Sequence, residues 1–147
     1  MIDYEYTAVA LDPSPAFPEG HSVPRTVIAV SLKNGECRTG QFLALVDSGA
    51  DYCVFPADFG EPLGLNYESL PSASVSGVGE DQQVRFSAVR LELHGFGEWE
   101  IYAGFCKSWN GRNLGMLGHL GCLERFRIAF DPSKGTFKLE ALPNRGE

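Results

Sequence analysis

Glycine and proline punctuate this chain so densely, 17 and 9 of its 147 residues, that many short elements are expected in place of a few long helices. Between those breaks the residues alternate with the period of two that a strand with one buried face requires. Ile2, Tyr4, Tyr6 and Ala8 alternate with Asp3, Glu5 and Thr7, predicting a first strand. Residues 26–32 and the apolar run Phe42–Val46 flank Asn34-Gly35, two residues that tolerate positive φ, and so predict a tight hairpin. Residues 72–78 and 82–89 flank the polar tip Gly79-Glu80-Asp81, a hairpin with few apolar residues to anchor it, which should project and move. On its return strand the apolar phase shifts from Val84, Phe86 and Ala88 to Val89, Leu91 and Leu93, implying a bulge or a change of packing partner. Trp99, Ile101, Ala103 and Phe105 alternate with charged or polar neighbours after a turn at residues 94–97, and residues 127–131 and 136–140 read as a last hairpin.

Two segments depart from this pattern. Residues 11–24 hold Pro13, Pro15, Pro18 and Pro24, too many missing amide donors for a regular element, so a loop is expected. Residues 119–126 place Leu120, Leu123 and Phe126 on one side of a short helix. The length suits a single domain, residues 1–147, with an all-β fold: a small closed or nearly closed β-barrel with one short helix near the C-terminus.

The net charge of −7 has no block of like charges behind it, which argues against nucleic-acid or anionic-membrane partners, since both demand clustered Lys and Arg. The first six residues are acidic and alternating, and the longest apolar run, Phe42–Val46, is far too short to span a bilayer, so a soluble cytoplasmic protein is expected. Cys37, Cys53, Cys106 and Cys122 are scattered without zinc-site or redox spacing and read as reduced, small apolar residues. The dispersed His21, His94 and His119 give no reason to expect a metal or other cofactor.

The chemistry concentrates in Phe42-Leu43-Ala44-Leu45-Val46-Asp47-Ser48-Gly49-Ala50-Asp51, where an acid directly follows an uninterrupted apolar strand. An isolated carboxylate is costly there, but Ser48 and Gly49 offer a hydroxyl, a permissive backbone and room for another chain. The triplet is equally compatible with a simple Asx turn closing the strand. This segment resembles the active-site segment of the retropepsin family of aspartic peptidases: apolar, apolar, Asp, Ser or Thr, Gly, Ala, then a second Asp. Further along, Ser76-Gly77-Val78-Gly79 is similar to that family's flap tip, and Asn113-Leu114-Gly115-Met116-Leu117-Gly118 to its second apolar element.

The resemblance implies that Asp47 is the catalytic acid, that Ser48 hydrogen-bonds across a two-fold axis, and that Gly49 accepts substrate main chain. It further implies that Ala50 and Asp51 bind substrate, that Gly77, Val78 and Gly79 form a closing flap, and that Leu117 and Gly118 pack behind the catalytic loop. His119 stands where retroviral members carry Arg, with Arg112 and Arg125 as substitutes if the fold brings them near. Val54, Phe55, Val78 and Leu117 are expected to form apolar walls around the cut. Trp109 reads more readily as a loop anchor than as a cover for the cleft.

Amide hydrolysis without a metal or covalent nucleophile needs one base and one acid, which two adjacent carboxylates sharing a proton supply. The chain has only one such triplet, so the second Asp47 would come from another subunit of a homodimer acting on a polypeptide substrate. The alternative is a non-catalytic retropepsin-like domain that binds peptides or only dimerises. A serine hydrolase fits poorly, because Val46 occupies the position where a nucleophile elbow needs glycine.

Overall fold

Most of these alternations become strands, thirteen among residues 1–76 and 81–143, which the computed structural model describes. In chain order they are β1 (Ile2–Glu5), β2 (Thr7–Leu11), β3 (His21–Arg25), β4 (Val27–Asn34), β5 (Cys37–Arg38), β6 (Phe42–Val46) and β7 (Val54–Pro56). Then follow β8 (Ser72–Val75), β9 (Gln82–Leu93), β10 (Gly97–Cys106), β11 (Leu114–Leu117), β12 (Phe126–Asp131) and β13 (Thr136–Ala141). Strands β4, β6, β11, β7, β10 and β9 pair in that order, and β4 pairs again with β9 to close a six-stranded barrel. Closure leaves these strands no free edge along the seam. There Leu32 lies opposite Leu91, both 0% exposed, in the apolar core the barrel encloses.

The predicted hairpin after β4 forms with Gly35 at φ +60°, and β4 then pairs with both β5 and β6. The phase shift on β9 is a change of packing partner with no bulge. Its register with β10 is unbroken from Leu93 opposite Gly97 to Arg85 opposite Phe105. Val89, Leu91 and Leu93 face the main core, whereas Val84 and Phe86 join Val54 and Cys106 in a second, smaller apolar cluster, and Ala88 is exposed. One strand thus serves the barrel with one face and the hairpin beyond it with the other. A separate three-stranded sheet, β1-β13-β12, packs Tyr4 against Phe137 with ring centroids 5.2 Å apart.

Three expectations are corrected. The helix over 119–126 does not form; only one 3-10 turn, Leu123–Arg125, is present. His119 and Leu120 donate their N–H groups to Ala50 and Asp51, both at 2.8 Å, and Gly121 sits at φ +94°, outside helical space. Too few residues then remain for more than a turn. The 11–24 loop also ends early, because His21–Arg25 is β3, paired with β2 as a two-stranded ribbon. Pro24 is tolerated there because a ribbon has a free outer edge, where a missing N–H breaks no ladder bond. The first strand divides at Tyr6, whose N–H turns to the Gly135 carbonyl at 2.9 Å, separating β1 from β2. Among the described residues no helix is long and apolar enough to cross a membrane.

Leu91→Ala should lower unfolding stability by about 2–5 kcal/mol, read from denaturant midpoints, because it opens a cavity at the seam that closes the barrel.

Candidate active site

Strand β6 delivers Asp47 to the end of the barrel beside β11, its parallel neighbour from Leu43 opposite Leu114 to Val46 opposite Leu117. The Asp47 N–H continues that ladder to the Leu117 carbonyl at 3.0 Å, and Ala50 N–H closes a turn onto the Asp47 carbonyl at 3.1 Å. The bonds from His119 and Leu120 to Ala50 and Asp51 then hold the loop from its far side. Between them lies Gly118, where a Cβ would overlap the backbone of Tyr52. Only a residue without a side chain permits that approach. Leu117 and Gly118 therefore lie behind the 47–51 loop, as the resemblance implies.

Asp47 is half-buried, and its Oδ1 accepts the Gly49 N–H at 2.9 Å. That bond is the Asx geometry the triplet allows, and it orients the carboxylate in place. Ser48 and Gly49 are exposed, and Ala50 is half-buried. Asp51 is exposed and forms no ion pair among the described residues. Neither candidate arginine reaches it in a pair: Arg125 lies over the Trp99 ring at 4.6 Å and Arg112 over the Trp109 ring at 5.6 Å. His119 is exposed and serves the loop through its backbone.

Asp47, Gly49, Ala50 and Asp51 line one cleft of ≈ 440 Å³. Val54 stands in its wall as expected, but Phe55 and Leu117 do not; they are fully buried in the barrel core behind it. The period of two explains this, since neighbours on one strand face opposite ways. Gly77, Val78 and Gly79 lie outside the described residues, while Val75, Ser76 and Gln82 of the same hairpin line the cleft. Trp109 lines it as well, the reading placed second to loop anchor in the sequence, and it also packs against the smaller apolar cluster. Sequence reasoning missed Tyr52, Val84, Cys106 and Met116 in the walls. Met116 carried a usable signal: it falls between Gly115 and Leu117 on β11, which are buried, so it must face the other way. Among the described residues no three His, Cys, Asp or Glu side chains converge as metal ligands.

All four cysteines are free; Cys37 is exposed, contrary to the small-apolar reading, and the other three are buried. Cys53 sits beneath the loop with Sγ 3.7 Å from the Leu120 carbonyl, and burial pushes its pKa up to about 11. Burial likewise pushes the Cys122 thiol well up. A raised thiol pKa leaves the unreactive neutral form dominant until the pH nears that value.

Iodoacetamide at pH 8 should therefore modify Cys37 in the native protein and reach Cys53 and Cys122 only after unfolding, as mass mapping of the alkylated sites would check. Gly118→Ala should lower stability by about 3 kcal/mol, the upper end of the usual overpacking range, because backbone rather than a flexible side chain must yield. A thermal or denaturant melt matching the unsubstituted protein would contradict the close approach of the two loops.

No family model matches the sequence, and no curated protein does. The fold is similar to that of a retropepsin-like aspartic protease from Rickettsia conorii, with a TM-score of 0.52 and 13% sequence identity. That likeness covers 89% of this chain and 97% of the other. It establishes a shared fold, the closed β-barrel described above.

Proposed function

We propose that this protein is an aspartic endopeptidase that works as a homodimer, with one Asp47 from each subunit forming the site. The observation that carries this reading is the Asp47 carboxylate itself, held by the Gly49 N–H at 2.9 Å on the floor of an open cleft. Around it the exposed Ser48 and Gly49 leave the loop accessible to a second copy. A two-fold axis through the loop sets two identical carboxylates face to face.

Two carboxylates about 3 Å apart do not both ionise, so the pair holds one proton. The ionised Asp47 takes a proton from water as the water oxygen attacks the peptide carbonyl carbon, and the Asp47 of the partner subunit donates its proton to the carbonyl oxygen. The tetrahedral intermediate then collapses: its hydroxyl returns a proton to a carboxylate, the nitrogen receives one, and the C–N bond breaks. In this reading Ser48 hydrogen-bonds across the axis, Gly49, Ala50 and Asp51 hold the main chain of an extended polypeptide, and Gly77, Val78 and Gly79 close over it. Val54, Met116 and Val84 in the cleft wall favour apolar side chains near the cut.

A second reading, a retropepsin-like domain that binds peptide without cutting it, is favoured by one feature. Asp51 has no cationic partner among the described residues, since Arg112 and Arg125 lie over tryptophans.

Digestion of a peptide library between about pH 4 and 7 separates the two, because a carboxylate pair sharing one proton gives a rate maximum on the acid side of neutrality. Asp47→Asn should reduce cleavage by at least about 10³-fold with an unchanged circular dichroism spectrum and melting curve. Equal cleavage by the variant would end the enzyme reading, and peptides bound but never cut by the unsubstituted protein would establish the second.

A further inference from the structure

The β2–β3 ribbon contributes nothing to the barrel core, yet it is a defined element. Its strands pair from Thr7 opposite Arg25 to Leu11 opposite His21. That register sets Val9, Leu11, His21 and Val23 on one face. At the tip Ser14 and Phe17 exchange backbone bonds of 3.0 and 3.1 Å, and the Phe17 ring stacks on His21 at 4.9 Å. Pro13, Pro15 and Pro18 stiffen the connection. Every residue of β2 is exposed, and Phe17, Leu11 and Val9 are 51%, 41% and 39% exposed. A two-stranded ribbon alone is marginally stable in water, so an apolar face of this kind is matched to a surface outside its own fold.

The place where the ribbon leaves the barrel identifies that surface. Val27 of β4 lies opposite Leu45 of β6, and the next step of the ladder joins Thr26 to Val46: Val46 N–H donates to the Thr26 carbonyl at 2.7 Å, and Thr26 Oγ1 donates to the Val46 carbonyl at 3.1 Å. One residue further on, β3 ends at Arg25 and β6 gives way to Asp47. The ribbon therefore departs at the level of Asp47, from the end of the barrel where the proposed two-fold axis passes. A specific interface buries about 800 Å² on each partner, more than a loop of a few residues supplies. Strand β1 cannot add to it by pairing across the axis through its β13-facing edge, because that edge is taken within its own chain.

We propose that the β2–β3 ribbon is a dimerisation arm whose Val9, Leu11 and Phe17 face docks on a second copy of this chain beside the Asp47 loop. The inference rests on the shared-carboxylate reading and names the surface that holds the two halves together. Its stiffness lowers the ordering cost of docking, and its apolar face supplies the affinity that the loop lacks.

Sedimentation of the Asp47→Asn protein, which cannot digest itself in this reading, measures the dimer without that complication. Adding Leu11→Ser and Phe17→Ser should raise the dimer dissociation constant about tenfold or more, with an unchanged circular dichroism spectrum. In chains that keep Asp47, the same two substitutions should lower peptide cleavage at low protein concentration and restore it as concentration rises. A benzoylphenyl side chain at Phe17 provides a readout independent of stability: irradiation should give a covalent dimer of twice the chain mass. An unchanged dissociation constant, or cross-links confined to the same chain or to added peptide, would overturn the arm while leaving the shared site standing. An unsubstituted chain that stays monomeric at every concentration would overturn the shared site, and the arm with it.

Discussion

Three backbone hydrogen bonds, from Asp47 to Leu117, His119 to Ala50 and Leu120 to Asp51, tie together two loops some seventy residues apart in sequence. The candidate site depends on them more than on any side chain. They form because β6 and β11 run parallel and end together, so the chain leaving each strand meets the other at once. Gly118 makes the meeting close enough, since any Cβ there would occupy the space of the Tyr52 backbone. A helix over 119–126 is interrupted at Gly121, whose φ of +94° lies outside helical space, and Cys53 Sγ sits 3.7 Å from the Leu120 carbonyl beneath the same loop. Tied to the ends of rigid strands, the loop has its side chains positioned by a fixed scaffold.

The cleft follows from the two-sidedness of those strands. Inside the barrel lie Phe55, Leu91 and Leu117, while Val54, Val84 and Met116 of the same strands face the cleft. Strand β9 shows the principle: its ladder with β10 is unbroken from Arg85 to Leu93, yet its apolar residues serve first one cluster and then the other. Val75, Ser76 and Gln82 of the adjoining hairpin line the same cleft as Asp47 while β9 keeps its pairing to β10, so one strand serves both the cleft wall and the barrel core.

At 13% identity, the likeness to a bacterial retropepsin-like protease shows how tolerant this barrel is of sequence. Apolar residues at alternating positions preserve it, and many combinations of them do so. Activity is a property of the site grafted on the barrel and not of the barrel itself. The Asp47 carboxylate, its Gly49 donor and the cleft support the proposed peptide hydrolysis, and a single acid loop per chain supports the proposed dimer.

The alternations that mark β1, β9 and β10, the apolar runs of β4 and β6 and the turn between β12 and β13 are local, because a strand's period and a turn's chemistry are set by neighbouring residues, and they were readable without a structure. So was the acid-bearing loop, where Asp47, Ser48 and Gly49 follow the apolar run of β6 directly. Tertiary structure alone decided that residues 119–126 make no helix, that Pro24 sits in a strand, and that Val54 faces the cleft while Phe55 does not. Each of these turns on which distant segment the chain pairs or packs with, and a linear sequence does not carry that information.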